Sequence, residues 1–461
     1  MKTIKLLGLT CFTFLLIMTS QSCIKGFEFG DNNNDQNTNP PNDCTTGIIL
    51  SSQKEIDKFS KDHSDCTQIF GNLIIGRDDV GSFITNLNGL RQVTKINGDL
   101  IIERCITLKN LKGLDNITEV SGIVLVRSNE VLESMDGLTN LSTIGSSLDI
   151  NNNPGLMNLN GLEKLTTLGT LSFEANPALT SLSGLQGLTS IAQGLYMRSC
   201  DALTNLTGMK NLTSLGSLSI SNNKSLSSFI GLEEIVDLDY LSIERNQSLV
   251  NLNGLQNVKA IGSIEVFNNT GLLSLDGINN VSNIEGDISI GENSELMSLN
   301  GMESISSVGG GIRINENKSL ININGLKHVT SIGGWLRIRS NRLLKNLEGL
   351  ENLTTIGSGL YGGYLRLESN LSLMSISALR NVTSIGGSIE IKTNASLKNL
   401  DGLENIEPST ITELLITSSN NLAVCNVKSI CEYLNSEGRP ATIEGNALGC
   451  NSREEIEAMC Q

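Results

Sequence analysis

The chain of 461 residues carries two histidines, His63 and His328, and more than half of the sequence separates them. A serine-type triad needs an imidazole within reach of a nucleophile and a carboxylate, and histidine metal sites gather several ligands on one spot. Neither can assemble from this pair. Cys105 and Cys200 have the chemistry of nucleophiles or thiolate ligands. Asp149, Glu265 and Glu390 have that of the acid–base set with which some β-helical enzymes cleave polysaccharides. No glycine-rich phosphate loop precedes a helix. A different chemistry gathers late in the chain. Arg313, Arg337 and Arg366 recur with Trp335, Tyr361 and Tyr364, in a protein whose aromatic content is only 3%. Planar cations beside aromatic rings suit non-covalent capture of a ligand. The expectation is a binding strip, with no catalytic residue, no metal and no cofactor.

Whatever positions these residues is written as a repeat. Gly followed by Leu, Met or Ile recurs at Gly89, Gly113, Gly137, Gly161, Gly184, Gly208, Gly231, Gly254, Gly277, Gly301, Gly325, Gly349 and Gly402. The steps are 23 or 24 residues except the last, which holds a sizeable insertion near Tyr361 and has Ala378 where a Gly is due. Such a period predicts a solenoid, since one coil alone cannot bury its apolar face. Within a coil, Leu218 and Ile220 alternate with Ser219, the period of a half-buried strand. A second apolar run, such as Leu249, Leu252 and Leu255, is read as a second short strand. The fold class is therefore an all-β solenoid, a parallel β-helix of about 14 coils of 23–24 residues. At about 4.8 Å per coil it extends roughly 65–70 Å.

An Asn recurs at Asn129, Asn153, Asn176, Asn223, Asn246, Asn269, Asn293, Asn317, Asn341, Asn370 and Asn394. Its amide is expected to satisfy backbone groups at a buried corner while stacking on the Asn above. The Gly is expected to supply positive φ. Cys105 and Cys200 fall at this Asn position, four coils or roughly 19 Å apart, too far for a disulfide. They read as buried thiols. Asp149, Glu265 and Glu390 fall coils apart, which argues against an acid–base pair. The sequons at Asn116, Asn205, Asn211, Asn352 and Asn381 follow from a corner spelled Asn-x-Thr and are not read as glycan sites.

The outward strand positions in coil order are Ile101, Leu125, Asp149, Ser172, Tyr196, Ser219, Ser242, Glu265, Ser289, Arg313, Arg337, Arg366, Glu390 and Leu415. Three arginines in succession repel unless compensated, and Glu316 and Glu368 are near enough to do so. Trp335 and Tyr364 occupy the outward position two residues before Arg337 and Arg366.

Residues 1–22 read as an export signal, with Lys2 and Lys5 before the apolar run Leu6 to Met18, which is too short to span a membrane. Ser20-Gln21-Ser22-Cys23 resembles a bacterial lipoprotein signal in which Cys23 carries the lipid. Residues 23–43 read as a tether, with almost no apolar content from Asp31 to Asp43. Net charge is −15, or −17 once Lys2 and Lys5 are subtracted, which argues against nucleic acid or an anionic membrane surface as partner. Export permits disulfides. Cys44 and Cys66 bracket an amphipathic helix bearing Ile56 and Phe59, so residues 44–70 read as an N-terminal cap and 71–424 as the solenoid. Cys425, Cys431, Cys450 and Cys460 frame two helical pieces in residues 425–461, a C-terminal cap in which three pairings are open. Ser452 and Glu455 are spaced as a capping box.

The stretch CTTGIILSSQKEIDKFSKDHSDCTQIFGNLIIG (Cys44 to Gly76) and the repeated Leu-x-Gly-Leu…Ile-Gly-Gly-x-Leu-x-Ile-x-x-Asn resemble the receptor L-domain family of insulin- and epidermal-growth-factor-type receptors. Similar coils occur in bacterial surface lipoproteins. Leucine-rich repeats place Leu two residues after the Asn. Here it stands three after, as in Asn223 to Leu226. The resemblance covers about Cys44 to Gln461 and implies surface recognition. The expected protein is a non-enzymatic, lipid-anchored surface protein of a Gram-negative bacterium, with a secreted form as the alternative. Its expected partner is an extracellular protein or carbohydrate, and its membrane contact is the anchor alone. A structural spacer and a polysaccharide-active enzyme are the competing readings.

Overall fold

A computed structural model describes residues 44–76, 81–357 and 362–460; Cys23, the leader, the tether and Tyr361 lie outside them. Every strand pairing in it is parallel, in one sheet of 22 strands and another of 4. Five of the 22 are two-residue pieces such as Ser331–Ile332, which precedes Leu336–Arg339. The other 17 stack as rungs from Ile48–Leu50 to Ala441–Glu444, giving 16 turns among the described residues. The solenoid is thus longer than the 14 coils marked by the repeat. The extra rungs are Ile48–Leu50, Leu73–Gly76 and Ala441–Glu444. The first and last lie inside the cap sequences, so the lids extend the ladder they close.

One coil shows why the sequence takes this path. Leu226, Phe229, Leu232, Ile235 and Leu238 point inward at a spacing of three, then Leu241 and Ile243 at a spacing of two, and all are buried. The spacing of two belongs to a strand, Asp237–Glu244. The spacing of three belongs to turns, closed by Leu232 N–H to the Phe229 carbonyl and Ile235 N–H to the Leu232 carbonyl, both 3.1 Å. The second strand expected at Leu249–Leu255 is therefore absent. That stretch is a run of turns, because only turns bring every third side chain inward. Leucine-rich, aromatic-poor coils follow, since an interior one coil thick fills with Leu and Ile.

The buried Asn column is continuous over long stretches. Asn246 N–H donates to Asn269 Oδ1 at 2.9 Å. Asn246 Nδ2 donates to the Ile220 carbonyl at 2.9 Å and to Asn269 Oδ1 at 3.2 Å. Each amide thus pairs with the coil on either side, and every Asn in the column is fully buried. Toward the C-terminus Ser419 replaces one amide, and Asn446 in the lid ends the column.

The residue before each corner carries information the repeat hid. Fourteen non-glycine residues, from Arg104 to Ser418, hold φ between 54° and 58°. This left-handed region disfavours L-residues, β-branched ones most. Thr393 (φ 55°) is the β-branched member. Thr393→Asn is expected to stabilise the protein by roughly 1 kcal/mol, read as a higher thermal midpoint; an unchanged or lower midpoint would refute the strain. The repeat Gly has the expected positive φ at ten of its thirteen positions, and close packing adds a second constraint. Gly254 has φ 113°, but Gly208 is not left-handed, and a Cβ there would lie 2.2 Å from the Leu182 carbonyl oxygen of the previous coil. Close backbone approach, more than φ, excludes a side chain at this position.

Both ends are sealed. Helix α1 (Gln53–Asp62) begins in a full capping box of Ser52 and Glu55 and buries Ile56 and Phe59 over the first coil. Cys44 is joined to Cys66. At the other end α2 (Lys428–Leu434) and α3 (Arg453–Met459) flank the last rung. Cys425 pairs with Cys450 and Cys431 with Cys460. The Ser452 hydroxyl accepts from Glu455 N–H. The Glu455 carboxylate accepts from Gly449 and Asn451 N–H instead of closing the box, tying the lid's loop to its helix.

Candidate functional site

Alternation along each rung decides what the outer face presents. Leu336 and Ile338 are buried, so Arg337 points out between them. Parallel pairing in register then aligns Ser289, Arg313, Arg337, Arg366 and Glu390 in one row. A neighbouring row runs through Gly311, Trp335 and Tyr364.

These side chains form one contiguous array. The Arg313 guanidinium lies 5.2 Å from the Trp335 ring centre. The Trp335 and Tyr364 rings are near-parallel, 13° apart, with centres separated by 6.0 Å, an offset stack. Arg366 lies 5.5 Å from the Tyr364 ring. Gly311 permits the arrangement, because a Cβ there would come within 2.3 Å of the indole. The order along the stack is cation, ring, ring, cation.

The two ends differ in charge balance. Arg366 makes a two-pronged contact with Glu390, at 2.9 and 2.8 Å, and Lys392 joins it at 2.9 Å. Burial alone would push the Glu390 carboxyl up; the hydrogen bonds from Arg366 and Lys392 overcome that and hold it below the usual carboxylate range. Arg337 and Arg339 share Glu368 loosely, at 4.0 and 3.7 Å. Among the described residues Arg313 has no carboxylate partner. The Nε atoms of Arg313, Arg337 and Arg339 are buried without a hydrogen bond. Compensation by Glu368 is present, Glu316 forms no ion pair among the described residues, and the strongest compensation comes from Glu390, one rung beyond the three arginines.

The other reactive candidates are absorbed by the fold. Asp149 accepts from Ser147 Oγ at 2.6 Å, and Glu265 accepts from the Tyr240 hydroxyl. Five rungs separate the two acids, about 24 Å, where glycosidase pairs stand roughly 5–9.5 Å apart. His63 belongs to the N-terminal lid, against Phe59. His328 bonds through Nδ1 to the Glu303 carbonyl at 2.6 Å. Among the described residues no group of three or more His, Cys, Asp or Glu is placed to hold a metal ion. Cys105 and Cys200 are buried free thiols, each pushed up to about 12 by burial. Neither is expected to react with a thiol reagent at pH 8 until the chain is unfolded; prompt labelling of the native protein would contradict this. The raised values also add an alkaline limit. The thiols ionise near 9 when unfolded and near 12 when folded, so their contribution to stability is complete below pH 9 and falls away between 9 and 12.

Two surface features escaped sequence reasoning. Acids two residues after the repeat Gly, such as Glu233, Glu303, Glu351 and Glu404, accept the Gly N–H at 2.8–3.0 Å. Part of the net acidity is thus structural. The next residue forms an outer ladder: Asn116, Asn211, Asn352 and Asn381 donate Nδ2 to a carbonyl of the preceding coil at 2.6–2.7 Å. The Thr two places on does likewise, as Thr213 to Thr189 and Thr354 to Thr330. His328 is one member of this ladder. The sequon spelling therefore records two adjacent ladders, and a signal existed in the period of Asn-x-Thr itself.

Comparison with known proteins bears on the kind of scaffold. The Receptor L domain family matches residues 65–116. The BspA type leucine rich repeat region matches residues 166–294, in six copies. A crystal structure of a TLR13-ssRNA13 complex aligns over 87% of this chain and 66% of its own, with 17% identity and a TM-score of 0.24. This chain therefore spans just under two thirds of that chain's length. Among curated proteins none matches the sequence.

Proposed function

We propose, for a chain that is a repeat protein of the receptor L-domain and leucine-rich-repeat-like kind, a non-enzymatic role in recognition at the cell surface. The strip from Arg313 through Trp335 and Tyr364 to Arg366 carries the reading. It places rings and guanidinium groups on a rigid sheet, where little ordering cost opposes binding. Families built on these coils are in general binding scaffolds. The ligand is a glycan or an extracellular protein, and the role is adhesion or capture. Tyr361 is assigned to the same strip from its place in the sequence. Three disulfides fit an oxidising, extracytoplasmic location.

In this reading residues 1–22 direct export, Cys23 carries a lipid, and residues 23–43 hold the solenoid away from the outer membrane of a Gram-negative cell. Residues 44–70 and 425–461 act as lids on the coils between them. Palmitate incorporation lost in Cys23→Ala would support the anchor; labelling that persists would remove it. The binding role is tested on a glycan array and on intact cell surfaces with the purified chain. Trp335→Ala combined with Arg337→Ala should reduce binding at least tenfold. Undiminished binding by this variant would move the site elsewhere. The absence of any binding would favour a spacer, for which the plain pair Ser219 and Ser242 on adjacent rungs is the supporting observation.

A further inference from the structure

We infer that the strip selects an acidic polysaccharide, one bearing a carboxylate or sulfate on its successive sugar rings, with Arg313 and Arg337 as the groups that read the charge. This rests on the recognition role proposed above and names its ligand class. Charge comes first. Arg313, Arg337, Arg339, Arg366 and Lys392 cluster against two engaged carboxylates, Glu368 and Glu390, in a chain of net charge −15. A local excess of cations held against the sign of the whole protein fits an anionic ligand.

Pairing separates the arginines. Arg366 is occupied by Glu390 through two hydrogen bonds. Arg313 has no carboxylate partner among the described residues, and the nearest one to Arg337 stands at 4.0 Å. These two pair in register on adjacent rungs, about 4.8 Å apart. A guanidinium offers a planar fork for a carboxylate or sulfate. Two forks one rung apart suit a polymer that repeats its anionic group once per ring. Beside them the Trp335 edge, left between Arg313 and Tyr364 on its two faces, offers apolar surface to a sugar's C–H groups.

The surface argues against an acidic peptide. Each of the three Arg-bearing rungs is hydrogen-bonded to a strand on both sides, so no free edge accepts an added strand. An extended, hydrated, charged chain lying along the stack fits this relief better.

The test measures binding of the purified chain to immobilised polygalacturonate, to the same polymer with its carboxyls reduced to alcohols, to poly-glutamate and to single-stranded RNA. Polygalacturonate should bind at least tenfold more tightly than the reduced polymer. Arg313→Gln with Arg337→Gln should abolish that preference and flatten the salt dependence, while circular dichroism stays unchanged. Trp335→Ala should weaken both polymers together. Tyr196→Ser, on the bland part of the same face, should alter neither. Equal binding of the charged and reduced polymers, lost in Trp335→Ala, would overturn the acidic-ligand inference and leave glycan recognition standing. Tighter binding of poly-glutamate or RNA would overturn it in favour of that polymer. Binding of none of the four at this strip would overturn the acidic-polysaccharide inference, while the recognition reading would stand or fall on the glycan array and intact cells.

Discussion

Asn246→Ala should lower stability by about 4 kcal/mol, among the largest effects of any single polar substitution in the chain. Four hydrogen bonds end on this side chain. Its Oδ1 accepts from Asn223 N–H at 3.1 Å and from Asn223 Nδ2 at 3.2 Å, and its Nδ2 reaches the Ile220 carbonyl and Asn269 Oδ1. Both neighbouring amides are fully buried. Alanine leaves the Asn223 N–H without a partner in a dry corner, at about 1–3 kcal/mol, and also removes the side-chain bonds to the Ile220 carbonyl and Asn269 Oδ1. The loss is local to one coil interface, because a solenoid sums nearest-neighbour terms. Denaturant unfolding should show an earlier transition, and hydrogen exchange should quicken in the coils on either side of position 246. A shift below about 0.5 kcal/mol would show that the column is dispensable. The converse substitution adds to the argument. Cys200 takes Asn223 Oδ1 on its own N–H at 2.9 Å, while the backbone and side chain of Asn176 in the preceding coil reach only a weakly accepting sulfur. Cys200→Asn should restore an amide there and raise the midpoint.

Opening the C-terminal lid should have an effect of similar size and a different symptom. Cys425→Ala with Cys450→Ala removes a link across 25 residues, for which chain entropy alone predicts about 3 kcal/mol. The released lid uncovers the rung Ile411–Thr417, which otherwise pairs with Ala441–Glu444. An uncovered parallel rung with Leu414 and Ile416 beneath it invites another chain. Light scattering should therefore detect end-to-end association at concentrations where the parent chain is monodisperse. A variant that loses stability but stays monodisperse would show that the last rung and its helices protect the edge without the covalent link.

Legibility followed chemistry that repeats by residue type. The Asn column, the Gly positions and the alternation that turns Arg313, Arg337 and Arg366 outward each need one kind of side chain, so the period exposes them. The left-handed residues do not. Arg104, Ala175 and Thr393 share φ but no chemistry, since the backbone N–H of the corner residue that follows (Cys105, Asn176 and Asn394) is held by a side chain of the next coil and fixes their backbone. Leucines at a spacing of three passed for a strand because burial alone does not distinguish a turn run from an extended one. The outermost rungs went uncounted because Ile48–Leu50 and Leu73–Gly76 have no Asn corner, and Ala441–Glu444 has its Asn446 inside a disulfide loop. At the candidate site the row and its rings were legible. Which arginine is paired was not, because that depends on Glu390 lying across one rung and not on its distance in sequence.

The two amide ladders point in opposite senses along the stack. In the inner column Asn246 N–H and Nδ2 both reach toward the C-terminal neighbour, with one further Nδ2 contact the other way. In the outer one Asn352 and Thr354 donate toward the N-terminal neighbour. Aligned bond dipoles add along a row and concentrate partial charge at its termini, as they do in a helix. Here the two rows oppose each other, so each offsets part of the other's polarisation as coils are added. An electrostatic limit on the number of coils is thereby eased, and gain or loss of a whole coil by recombination changes the charge at either extremity less than one row alone would.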